Sequence, residues 1–154
     1  MHKSEKYPYR KTIELFWIII SAIFITFLLN GCSKEEGKFE AFSPQSFAFD
    51  IGDRWEVNAL VNVRGFAQKE ADGTFSASIK FSVDLITPSG KTITNIFKDS
   101  KETKQEEEIM DIPLEVQFEL DSTYPMGKYK LLVNIRDNFS EKTTEAFVEF
   151  DLVE

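Results

Sequence analysis

The sequence predicts an all-β domain, an antiparallel β-sandwich of about seven strands, following an N-terminal signal segment. Three observations carry that expectation. Apolar and polar residues alternate with period two through most of the chain after Cys32. Residues with turn chemistry separate the alternating runs. No stretch in that region carries a helical stripe of apolar residues. At 154 residues, 42% apolar and 29% charged, the chain has the size and composition of one globular domain. Short strands joined by turns, with no intervening helices, point to a sandwich rather than a βαβ sheet.

Residues 1–31 are set apart as an export signal. Lys3, Lys6, Arg10 and Lys11 form a basic start, and the run from Leu15 to Leu29 holds no charge. That run spans about 22 Å as a helix, short of a hydrocarbon core about 30 Å thick. An acidic rather than basic flank follows it, so nothing there resembles a stop-transfer cluster. Leu29-Asn30-Gly31-Cys32 closes the run at the only Cys of the chain. This tetrad resembles the lipobox of bacterial lipoproteins. The resemblance implies cleavage between Gly31 and Cys32, lipid attachment at Cys32, and a membrane partner reached through that lipid. Several acyl chains on one residue anchor stably, whereas a single chain is marginal. Ser33 is not the Asp that resembles an inner-membrane retention signal, so outer-membrane placement in the cell envelope is favoured. Ser33-Lys34-Glu35-Glu36 is similar to the tag of surface-exported lipoproteins, and equally to an ordinary charged tether.

The tether is assigned to 32–45, ending near Ser43-Pro44, and the sandwich domain to 46–154. A short run at 46–50 opens the domain. Residues 54–64 follow, with Trp55, Val57, Ala59, Val61 and Val63 inward. Asp50-Ile51-Gly52-Asp53 separates these two runs, and Asp72-Gly73 precedes the next. In 74–87, Phe75, Ala77, Ile79, Phe81, Val83 and Leu85 alternate with polar residues. One face is therefore apolar and the other wet, as in an antiparallel sheet half-buried on a core. After Pro88-Ser89-Gly90, a run at 91–98 forms the fourth strand. The residues from Lys98 to Glu108 include no apolar one and are read as a solvated connection. Residues 112–120 point Ile112, Leu114, Val116, Phe118 and Leu120 inward. Residues 128–137 do so with Tyr129, Leu131, Val133 and Ile135. Residues 142–152 do so with Ala146, Val148, Phe150 and Leu152. Of the 15 Phe, three lie in the signal and Phe39 in the tether, and most others fall on inward positions, as core rather than a ligand cavity.

Residues 112–152, with Gly127-Lys128-Tyr129 opening one strand and Asp137 closing it, resemble the last three strands of immunoglobulin-like bacterial domains. The resemblance covers about a third of the exported chain and implies a fold, not an activity. It places Tyr129 in the region of the tyrosine corner. The disulfide of antibody domains is absent, and Trp55 lies on an earlier strand than their core Trp.

Composition removes several function classes. One Cys leaves no internal disulfide and no Cys-rich zinc site. The only His is His2, inside the removed segment, so no imidazole remains for a triad, a base or a metal. The formal charge is −8, and the removed segment holds four basic residues against two acids, so the exported part is more acidic still. That disfavours nucleic acid, whose phosphates need Lys and Arg. Asp50, Asp53, Asp121, Asp137 and Asn138 would hold calcium only if they gathered at one end of the sandwich, and none has EF-hand spacing. No cofactor and no metal is expected.

The surface carries one further signal. If 129–137 and 142–152 pair as a hairpin, their inward residues are odd on one strand and even on the other, so paired numbers sum to an odd value. A sum of 277 leaves the turn Asn138-Phe139 and pushes Phe139 towards a positive φ that bulky residues resist. A sum of 279 leaves Asn138-Phe139-Ser140-Glu141, closed by an Asp137–Lys142 charge pair, and is chosen. Leu132 then lies opposite Phe147 on the wet face, a candidate partner surface. The tether or the 98–109 loop folding over the pair, or a hairpin-stabilising role alone, are the competing explanations. The expected function is a non-enzymatic, lipid-anchored interaction or accessory module of the cell envelope, with an envelope protein as partner. The alternative is a lipoprotein that binds a small ligand, a sugar or lipid, and needs a cavity of about 300 Å³ or more. An enzyme would need clustered carboxylates in a cleft.

Overall fold

The computed structural model describes residues 37–153, so the signal segment, Gly31 and Cys32 lie outside the described residues. Eight strands follow in order: β1 (Glu40–Asp50), β2 (Arg54–Arg64), β3 (Lys69–Ala71), β4 (Thr74–Ile86), β5 (Thr92–Gln105), β6 (Asp111–Asp121), β7 (Gly127–Asp137) and β8 (Thr143–Leu152). Every pairing is antiparallel. Strands β1, β2 and β6 make a three-stranded sheet; β3, β4, β5, β7 and β8 make a five-stranded one. In the second, β4 carries β5 along one edge, and β7 with the short β3 along the other. The chain crosses between sheets after β2, β5 and β6.

The alternation read from the sequence builds the interior. Val57, Val61, Val63, Leu114 and Ile112 from one sheet meet Ile79, Val83, Leu85, Leu131 and Val133 from the other in a single buried cluster. Each such side chain contributes about 1.5–3 kcal/mol by leaving water. The resemblance to immunoglobulin-like domains gains a geometric counterpart at the start of β7. The Tyr129 hydroxyl donates to the carbonyl of Pro125 at 2.7 Å, the bond that defines a tyrosine corner.

Four expectations are corrected. First, the domain begins before residue 46: β1 starts at Glu40, and Phe39, assigned to the tether, is buried in the core. The alternation there is broken by a bulge between Phe42 and Gln45, where Ser43 takes a positive φ ahead of Pro44. Gly65, at the end of β2, closes this region: a Cβ there would stand 2.2 Å from the Lys38 carbonyl oxygen. Second, the polar run from Lys98 is not a loop, because β5 continues to Gln105. This edge strand is held to β4 by its backbone ladder through Gln105↔Phe75, and its outer half is exposed on both faces, so no apolar alternation is required of it. Third, β3 is an eighth strand, three exposed residues long, that carries no apolar signal. Fourth, Asp137 does not spend its carboxylate on Lys142. It is fully buried and accepts from the Ala67 N–H at 2.7 Å, the Phe139 N–H at 2.9 Å and the Ser140 hydroxyl at 2.5 Å.

Candidate functional site

The hairpin register that the sequence argument chose is the one observed. Leu131 pairs with Val148, Val133 with Ala146, and Leu132 with Phe147. The turn closes through Asp137 N–H to the Lys142 carbonyl at 3.0 Å and Glu141 N–H to the Asp137 carbonyl at 2.9 Å. Glu141, not Phe139, takes the positive φ. Because Leu131 and Val133 face the core, Leu132 faces out, and Phe147 beside it is 49% exposed. Lys130 holds its ammonium 5.8 Å from the ring centroid and 3.2 Å from Glu149. That hydrogen bond and charge, with Lys128 beyond it, keep the Glu149 carboxyl below the usual carboxylate range.

The neighbouring rows of the same face are polar and partly basic. Register places Ser100, Lys80, Arg136 and Thr143 side by side across β5, β4, β7 and β8. The next row is Lys98, Ser82, Asn134 and Glu145; the one after it contains Asp84, Leu132 and Phe147. The residues of the first two rows, Ser100 excepted, line a depression of about 710 Å³. Its rim on the β5 side is shaped by a bulge, where Asn95 takes a positive φ and its N–H donates to the Asp84 carboxylate at 2.7 Å. Asn134 donates to the other oxygen of Asp84 at 3.3 Å. Asp84 thus fixes both the bulge and the amide of Asn134 (a carboxylate satisfied from two strands). Arg136 reaches the exposed Glu141 at 3.0 Å, while Lys80 and Lys98 enter no ion pair among the described residues. Glu145 is the one carboxylate that lines the depression.

The sequence therefore named Leu132 and Phe147 and missed the basic rows beside them. Lys80 and Arg136 read individually as wet positions of alternating strands. Their adjacency needs the β4–β7 register, and Lys98 needs the charged half of β5, which carries no alternation to mark it as a strand. The acids named for calcium do not gather. Asp50, Asp53 and Asp121 lie at the β1–β2 end, whereas Asp137, the last residue of β7, and Asn138 lie at the opposite end.

The other outer face has its own apolar residues. Phe47 and Phe49, 51% and 55% exposed, lie on β1 with ring centroids 5.0 Å apart at 58°. They stand over Asn58 and Glu56 of β2, and Glu56 stands opposite Glu119 of β6.

No protein-family model and no curated protein matches the chain. Among solved structures, similar folds occur within a Bacteroides uniformis beta-glucuronidase and a Clostridium perfringens family 123 glycoside hydrolase. The first is 8% identical with a TM-score of 0.49, covering 71% of this chain and 13% of that one. The second is 12% identical with a TM-score of 0.46, covering 71% and 22%. The structural-genomics target SoR45 is 10% identical with a TM-score of 0.41, covering 77% and 88%. This chain spans only a minor part of either hydrolase, and at these identities and scores none of the three bears on what it binds or does.

Proposed function

We propose that this chain is a non-enzymatic, lipid-anchored module of the bacterial cell envelope that binds its partner through the outer face of the five-stranded sheet. The anchor rests on Leu29-Asn30-Gly31-Cys32 at the end of an uncharged run. The absence of any His besides His2, and a single Cys committed to lipid, support a binding rather than catalytic role. One observation carries the choice of face: Leu132 and Phe147 are paired on a mostly polar surface, and Phe147 is 49% exposed. In the leading form of this reading the occupant is another envelope protein. The depression of about 710 Å³ favours the second form, a small ligand, because it exceeds the roughly 300 Å³ such a ligand needs.

The test uses the full chain expressed in its envelope, with a photo-reactive phenylalanine at position 147 or, as comparison, at position 119 on the opposite sheet. Adducts from 147 and not from 119 support the assigned face; adducts from 119 alone, or from neither position, overturn it. Palmitate labelling of the same cells tests the anchor. Label is expected on the wild type and lost in Cys32→Ser, and label retained by that variant refutes the lipidation site.

A further inference from the structure

We propose that the depression beside Leu132 and Phe147 binds an acidic saccharide, with its anionic groups held by Lys80, Lys98 and Arg136. This deepens the reading that the five-stranded face is the binding surface, and rests on it. The chain is acidic overall, yet three cations converge on two adjacent rows of one face. Two of them, Lys80 and Lys98, are neutralised by no acid among the described residues. Arg136 shares its charge with the exposed Glu141 and Glu145 stands in the same lining, so the local excess of positive charge rests on the two unpaired lysines, and an anion placed between them relieves their repulsion.

The rest of the lining suits a polyhydroxylated frame. Ser82, Asn95, Asn134 and Thr143 supply hydroxyl and amide groups that both donate and accept, and Glu145 supplies an acceptor for hydroxyl donors. Asn134 is already oriented through Asp84, so its side chain is held before a ligand arrives. Leu132 and Phe147 lie two residues further along their strands, about 7 Å from this row, near enough for the apolar face of a second sugar unit to rest on the ring. An acidic peptide is the competing occupant, and the position of the depression disfavours it. Its floor is β4 and β7, whose backbone groups are spent in ladders on both sides, so an extended peptide could not pair there as an added strand. Only side chains are on offer, and they are amides, hydroxyls and cations.

The test is isothermal titration of the detergent-solubilised full chain with trigalacturonate, its trimethyl ester, a sulfated trisaccharide and triglutamate. Binding of trigalacturonate or of the sulfated trisaccharide is expected, and which of them binds identifies the anion as carboxylate or sulfate. Binding should weaken as salt is raised. Lys80→Gln with Lys98→Gln should lower affinity by about fivefold or more, since each removes a charge-assisted contact. Lys91→Gln with Lys104→Gln, the same charge change outside the depression, should not. Equal binding of the trimethyl ester, tighter binding of triglutamate, undiminished affinity in the Lys80/Lys98 variant, or binding of neither acidic saccharide each overturns the proposal. If no saccharide binds while position 147 still yields adducts, the ligand class falls and the assigned face stands. If position 147 is also silent, both fall.

Discussion

The two outer faces of this sandwich are built by the same alternation and carry opposite chemistry. On the three-stranded sheet the cations are Arg54 and Arg64, and both are engaged. Arg54 meets Glu119 at 2.6 Å and Asp53 at 3.1 Å, and Arg64 meets Glu40 at 2.6 Å. These hydrogen bonds and charges hold the Asp53 and Glu40 carboxyls below their usual range. On the five-stranded sheet, Lys80 and Lys98 enter no ion pair among the described residues, and the acid that meets Arg136 is exposed. Net charge therefore says little about where this chain can meet an anion. What decides it is which cations are already satisfied by their own sheet, and that is a property of register rather than composition.

The sheets also differ in how they are tied. Each end of β7, in the five-stranded sheet, carries a polar tie: Tyr129 to Pro125 at one end and Asp137 to Ala67 at the other. Among the described residues, the three-stranded sheet has exposed ion pairs, which contribute little, and an exposed bond from the Ser46 hydroxyl of β1 to the Glu149 carbonyl of β8 at 2.8 Å. The largest effect should follow from cutting the Asp137 tie, because Ala67 belongs to the segment leaving β2 and its bond joins the two sheets. Asp137→Ala leaves the Ala67 and Phe139 N–H groups without their acceptor and should cost about 3 kcal/mol in urea unfolding. Burial pushes the Asp137 carboxyl up, and the bonds from Ser140, Ala67 and Phe139 outweigh it, so its pKa is lowered. The associated stability is present above the ordinary carboxylate range and is lost as pH falls through the lowered pKa. Wild-type protein should therefore lose part of its margin over the variant in acid. A loss below about 1 kcal/mol at neutral pH would mean that the sheets are not joined through this group.

Tyr129→Phe is the next largest. The ring stacks on Phe150, with centroids 5.4 Å apart at 14°, and that contact survives the substitution. Only the hydroxyl bond to Pro125 is removed, so the expected cost is about 1 kcal/mol with an unchanged denaturant slope. A cost as large as that of Asp137→Ala would place the two ties on an equal footing and weaken the case that the buried Asp137 carboxylate is the stronger of them.

The same contrast sets what was legible in the sequence. Central strands reveal themselves because a face buried against the other sheet demands an apolar residue at every second position. Val57 to Val63 in β2 and Ile79 to Leu85 in β4 leave no ambiguity of face. The β7–β8 register follows from parity plus the reluctance of Phe139 to take a positive φ, so the sequence itself pairs Leu132 with Phe147. Edges obey a weaker rule. Strand β5 needs only a backbone ladder on one side, so its charged half looked like a loop, and β1 hides its alternation behind the bulge at Ser43. The basic depression was invisible for that reason: Lys98 belongs to the edge that was cut short, and Asn95 enters through a bulge that periodicity does not reveal.

The smallest effect is expected on the face that resembles a binding surface at first sight. Phe47 and Phe49 are more exposed than Phe147, and they form the only aromatic pair among the described residues in which both rings are largely exposed. Their surroundings argue against a role with an acidic ligand. The rings stand beside Asn58 and Glu56, Glu119 lies beyond, and Arg54, the cation of the adjoining row, is already paired. An anion brought to them would meet carboxylates. Replacing both with Thr keeps residues suited to a strand and removes little buried area, so stability should move by no more than about 0.5 kcal/mol. Affinity for trigalacturonate or the sulfated trisaccharide, and adduct formation from position 147, should both be unchanged. A double variant that loses either one would break the comparison, because it would place the working surface on the three-stranded sheet, where an aromatic column and not a basic row selects the partner.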